Sequence, residues 1–143
     1  MTPEELEQRI RDGIPLAASM DFRVLSLSAT HIRVRGGAEE NINVHGTGFA
    51  GSLYAIATLA AWGLVRSRLP DGADLVMAEG SIRYRKPVTG DLIAECRIDA
   101  PTFETFLSTL QTKGKALLDA HCDLPCQSGI GAQFEARLHA RLT

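Results

Sequence analysis

The stretch 41-NINVHGTGFAGSLYAIATLAAWGLV-65 holds no Lys, Arg, Asp or Glu, in a chain that is otherwise ordinarily charged. It opens on a loop-like run with Asn41, Asn43, His45, Gly46, Gly48 and Gly51, then enters an apolar segment of helical length. The apolar part, residues 50–65, is shorter than the roughly 20 residues a bilayer span needs. It is also interrupted by Gly51, Ser52, Thr58 and Gly63, which speaks against a membrane segment. On a helical wheel its apolar residues go nearly all round. Leu53, Ala57, Ala60 and Leu64 fall on one side, Ile56, Leu59 and Gly63 on a second, and Tyr54, Ala61 and Val65 on a third. A helix of that kind has to be buried over most of its circumference. One flat sheet covers only one side, so the sheet must curl around it. The helix is expected over residues 49–68, stopped by Pro70, Asp71 and Gly72.

Outward from that helix the chain reads largely as strands. Residues 3–12 predict a short helix with Thr2 as N-cap, Pro3 at the first position, and Glu4 and Glu5 at its positive end; Gly13 and Pro15 close it. Alternation marks strands from Phe22 and over residues 31–35, forming a hairpin around residues 28–30. Beyond the helix, residues 75–85 and 91–98 predict strands joined by a turn at 87–90. Residues 102–112 fit either a helix face (Phe103, Phe106, Leu107, Leu110) or a Thr- and Ser-rich strand. A tight turn at 113–115 and two last strands, 116–124 and 130–142, complete the order, with a turn at 125–129. The expected architecture is α+β, a curved antiparallel sheet wrapped around one long central helix: the hot-dog fold.

At 143 residues the chain has the size of one ordinary domain, expected over residues 1–143. A formal charge of −2 and scattered basic residues give no reason to expect nucleic acid or an anionic membrane as partner. The acidic, amphipathic start is no secretory signal. Three cysteines, Cys96, Cys122 and Cys126, make neither a disulfide framework nor a zinc set, so a reduced, cytoplasmic protein is the expectation. Cys122 and Cys126 are expected on one strand face, too far apart to bridge. His31, His121 and His139 are dispersed on strands, so no metal or other cofactor is expected.

Residues 43–52, NVHGTGFAGS, continuing into LYAIATLAAW, resemble the putative thioesterase family named after the C-terminal domain of YiiD, a branch of the hot-dog superfamily. The run IRYRKP at 82–87, with Gly90 and Asp91, is similar to that superfamily's strand followed by a Pro turn. The resemblance implies a substrate that is an acyl-CoA or acyl-carrier thioester, and assembly as a homodimer or dimer of dimers. In the phenylacetate-pathway type of hot-dog thioesterase, the comparable loop carries an Asn, then His-Gly-Gly, and an acidic residue one helical stretch later. Laid over this chain, the Asn falls on Asn43, the His on Phe49, the first Gly on Ala50 and the acid on Thr58. The long helix has no carboxylate, so that activation chemistry does not carry over.

Thioester hydrolysis needs a polarised carbonyl, an activated water and a slot for the substrate. Backbone N–H groups of Ala50, Gly51 and Ser52 at the helix start can supply the first, and Gly51 allows close approach. His45 reads either as a general base or as a turn-holding loop histidine. Asn43 reads either as a group orienting water or the carbonyl, or as an Asx-turn residue. Glu79 is the carboxylate nearest in sequence; alternation puts it on a face with Met77, Ser81 and Arg83, as a site residue or a solvated one. Thr58 can position water but is too weak an acid to activate it. Phe49, Ala50, Ser52 and Tyr54 are candidate substrate contacts, Tyr54 equally a core residue. Arg83, with Arg85 and Lys86, can meet phosphates at the rim or simply be solvated. Three functions follow: a hydrolase, a non-hydrolytic acyl-thioester binding module, and a dehydratase or hydratase, which lacks its helix carboxylate here.

Overall fold

The computed structural model describes residues 1–143. Thr2 begins α1 (Pro3–Gly13) with a reciprocal cap: its hydroxyl accepts from the Glu5 N–H (3.1 Å), and the Glu5 carboxylate accepts from the Thr2 N–H (3.0 Å). Pro15 does not simply end this helix. It starts a second short one, α2 (Pro15–Ser19), because a first helical residue needs no N–H partner. Strands β1 (Arg23–Leu27) and β2 (His31–Gly36) form the expected hairpin.

Helix α3 (Ala50–Arg66) is the central element. It begins one residue later than expected, since Phe49 is extended and caps it from outside. Strands β3 (Ala73–Tyr84), β4 (Leu92–Arg97), β5 (Lys115–Cys126) and β6 (Gly129–Leu142) complete one antiparallel sheet in the order β1-β2-β4-β5-β6-β3. Helix α3 touches β2, β3, β4, β5 and β6, so the sheet does curl around it. Helix α1 meets α3 near Gly63. A Cβ at Gly63 would stand 3.4 Å from Ile10 and 3.5 Å from Leu6, the residues α1 buries. The hot-dog arrangement expected from the all-round apolar helix is the one the chain adopts.

The ambiguous segment is a helix, α4 (Ala100–Lys113). Asp99 caps it through the Thr102 N–H (2.8 Å), and Gly114, with φ 76°, ends it in the left-handed conformation. The turn expected at 125–129 shrinks to Gln127 and Ser128, because pairing runs on through Pro125↔Ile130 and Cys126↔Gly129. A register shift at Leu124/Pro125 accommodates the missing proline N–H. A bulge also sits between Met77 and Glu79, with Ala78 as the extra residue. No helix is long and apolar enough to cross a membrane.

The two sheet edges differ. On β1 the Glu7 carboxylate of α1 accepts the Val24 N–H at 2.9 Å. On β3 no strand pairs with the outer edge; Trp62 of α3 donates its Nε1–H to the Leu75 carbonyl (3.0 Å) and Arg66 donates to that of Ala73 (2.6 Å), while Val76, Ala78, Gly80 and Tyr84 are exposed.

Candidate active site at the start of the central helix

The loop before α3 is built on two asparagines. Asn41 is 1% exposed. Its Nδ2 donates to the carbonyls of Met20 (2.9 Å) and Gly37 (2.7 Å), and its own carbonyl accepts from the Phe49 N–H (2.8 Å). Asn43 is engaged at both ends of its amide. Its Oδ1 accepts from the N–H groups of His45 (2.8 Å) and Thr47 (3.1 Å); its Nδ2 donates to Thr47 Oγ1 (2.9 Å) and the Gly48 carbonyl (3.2 Å). The bond from the His45 N–H to Oδ1, two residues back, is an Asx turn. The Gly48 N–H donates to the Val88 carbonyl (2.7 Å), tying the loop to the turn after β3. At the loop's tip Val44 is 95% exposed and His45 is exposed beside it, its imidazole free of hydrogen bonds.

Where this loop delivers the chain into α3, backbone donors are left over. The Phe49 N–H is spent on Asn41, and the first helical bond runs from the Leu53 N–H to the Phe49 carbonyl (3.0 Å). No side chain caps the helix. The N–H groups of Ala50, Gly51 and Ser52 therefore have no partner within the chain, and Ala50 and Gly51 are exposed. A Cβ on Gly51 would meet the exposed Phe49 ring at 2.7 Å, so a larger residue there would displace that ring. Beside it lies a cleft of ≈ 330 Å³ lined by residues that include Asn43, Thr47, Ala50, Leu53, Tyr84 and Lys86. Tyr84, the last residue of β3, donates its hydroxyl to the Ala50 carbonyl at 2.7 Å. Burial, and then the neighbouring Tyr54, hold its phenol above the ordinary value, so it is a donor at neutral pH.

The remaining candidates scatter. Thr58 is half-buried, and its hydroxyl donates back to the Tyr54 carbonyl (2.9 Å). Tyr54 is half-buried against Phe134, edge to face at 5.0 Å, with its hydroxyl reaching over Gly80. Glu79 stands away from the loop. It pairs across the ladder with Arg137, which binds Asp119 (2.8 Å) on the polar outer face, whereas the flanking Ala136 and Leu138 are buried. The bulge at Ala78 takes Met77 off that face, so the grouping expected from simple alternation fails there. Arg83 also lies on the outer face, lining a recess with Ser81, His121 and Glu135. Arg85 and Lys86, not Arg83, border the cleft.

Sequence reasoning passed over Asn41 as an anchor, Thr47 as its neighbour's partner, and Tyr84 as the pin on the helix start. Only Tyr84 carried a signal, its place three residues before Pro87. His121 was read as isolated, yet both ring nitrogens meet carboxylates at 2.7 Å, Asp123 two residues along and Glu135 across the ladder. Cys96 and Cys122 face each other across β4 and β5, both buried and both free.

Residues 3–140 match the family described as Putative thioesterase (yiiD_Cterm). Among solved structures, a putative thioesterase from Shewanella oneidensis is 33% identical, with a TM-score of 0.85 over 99% of this chain and 97% of its own. A protein of unknown function from Chlorobaculum tepidum superposes with a TM-score of 0.90 at 24% identity, over 99% of this chain and 98% of its own. A protein from Pseudomonas aeruginosa described as a probable thioesterase gives 0.86 at 24% identity, over 99% and 97%.

Proposed function

The chain belongs to the putative thioesterase family named for the YiiD C-terminal domain, and we propose that it hydrolyses acyl thioesters at the start of α3. One observation supports this reading: three unpartnered N–H groups, at Ala50, Gly51 and Ser52, begin a helix whose first residue, Ala50, lines a cleft. A thioester carbonyl oxygen set against them gains donors and the positive helix end as its charge develops, while the attacking water adds to the carbonyl carbon. The thiolate then leaves and is protonated. His45 is the base we assign, since it belongs to the loop and has an unengaged imidazole ring. Thr58, Tyr54, Ser52 and Phe49 border the acyl path in this reading. Glu79 drops out of it, as does Arg83; Lys86 and Arg85 at the cleft rim suit the phosphates of an acyl-CoA better.

The reading includes a cytoplasmic homodimer. Three free thiols fit a reducing compartment. The β3 edge, which no strand pairs, and the half-buried α3 residues Tyr54, Ala55, Thr58 and Trp62 fit a second copy, which would enclose the cleft's open side.

A panel of acyl-CoAs of different chain lengths, assayed for free thiol, tests the activity; absence of turnover on every member sinks it. His45→Ala is expected to lower kcat by about 10²-fold or more. The missing helix carboxylate favours a second reading, an acyl-thioester binding module without hydrolysis. Tight binding of a non-hydrolysable acyl-CoA analogue with no turnover would establish it instead.

A further inference from the structure

We infer that Tyr84 is a positioning residue for the Gly51 N–H, acting through the peptide group that Ala50 and Gly51 share. This deepens the thioesterase reading above and rests on it. The Ala50 carbonyl and the Gly51 N–H are the two ends of one amide. A hydrogen bond donated to the carbonyl oxygen draws electron density from the nitrogen and makes its N–H a stronger donor. Tyr84 donates such a bond, at 2.7 Å, to the peptide whose other end is the unpartnered N–H of the exposed residue Gly51.

The fold aims Tyr84 deliberately. It closes β3 opposite Ala132, which is fully buried, so its side chain lies on the face of the sheet that holds α3. The next two residues, Arg85 and Lys86, both donate their N–H groups to the Gly131 carbonyl (2.8 and 3.0 Å), which fixes the strand end. The loop pins the other side of the helix start through Asn41 to Phe49. The amide is thus held from both flanks, and the hydroxyl adds polarisation to position.

Tyr84→Phe tests this, because it removes one oxygen and keeps the ring. In a ¹⁵N–¹H spectrum the Gly51 nitrogen is expected to move to higher field in the variant, with the thermal midpoint essentially unchanged. With an acyl-CoA that the unmodified protein cleaves, kcat is expected to fall about tenfold at constant KM, a fraction of the loss from removing an oxyanion donor outright. An unmoved Gly51 resonance overturns the inference. So does an unaltered kcat, or a loss carried by KM alone, which would give Tyr84 a role in ground-state binding. If the unmodified protein cleaves no thioester, the hydrolase reading fails by itself, and the Gly51 resonance still decides whether Tyr84 polarises that amide.

Discussion

Asn41 shows how one buried amide can set the shape of a site it does not enter. Its Nδ2 supplies the Gly37 carbonyl, and its backbone carbonyl takes the Phe49 N–H, so the loop's two ends are fastened to one residue. The Met20 carbonyl has a second donor in the Gly37 N–H (3.0 Å), so truncation leaves chiefly the Gly37 carbonyl unpaired. Asn41→Ala should therefore cost about 1–3 kcal/mol in urea unfolding; a loss near zero would mean water replaces the amide. Gly80 makes a steric argument of the same size. A Cβ there would collide with the Tyr54 hydroxyl, forcing that ring off Phe134. Gly80→Ala should lose at least the edge-to-face contact, about 0.5–1.5 kcal/mol, measured in the same unfolding experiment. Neither role was legible in the sequence. Asn41 looks like any loop asparagine, and Gly80 matters only because β3 passes under α3.

Among the elements, the strand pair β5–β6 carries a titratable clamp. His121 sits between Asp123 and Glu135, each at 2.7 Å. Burial works to lower its pKa, but the hydrogen bonds to Glu135 and Asp123 and the charges of both carboxylates outweigh it, and the net direction is upward. Its folded pKa thus lies above the unfolded value of about 6.5. The clamp's stabilisation is full below that unfolded value and is lost as pH rises through the folded one. Unfolding free energy should fall between mildly acidic and mildly alkaline pH. His121→Gln should flatten that slope, and an unchanged slope would place the titration elsewhere. The capping box of α1 was readable from Thr2, Pro3 and Glu5, because caps are local chemistry. The bulge at Ala78 was not, because a bulge is defined by its partner strand, and it decides that Glu79 faces away from the helix.

For the whole molecule, the two edges of the sheet make a testable contrast. Glu7 blocks β1, while no strand pairs with the outer edge of β3, next to the exposed Val76 and Tyr84. Such an edge left unpaired invites strand pairing. Sedimentation velocity should give twice the 15.4 kDa chain mass; a monomer at micromolar concentration would remove the dimer from the proposal.

The sequence by itself determined the enclosed helix and hence the curled sheet, because a helix apolar nearly all round has to be buried over most of its circumference. It also located the candidate site in the run ahead of that helix, where glycine and asparagine replace charge. Only the tertiary structure decided which side chains meet there. Hydrogen-bond partners such as Tyr84 and Ala50, 34 residues apart, meet through the sheet's register. Composition and periodicity report which faces are buried; they do not report what a polar atom is already bound to.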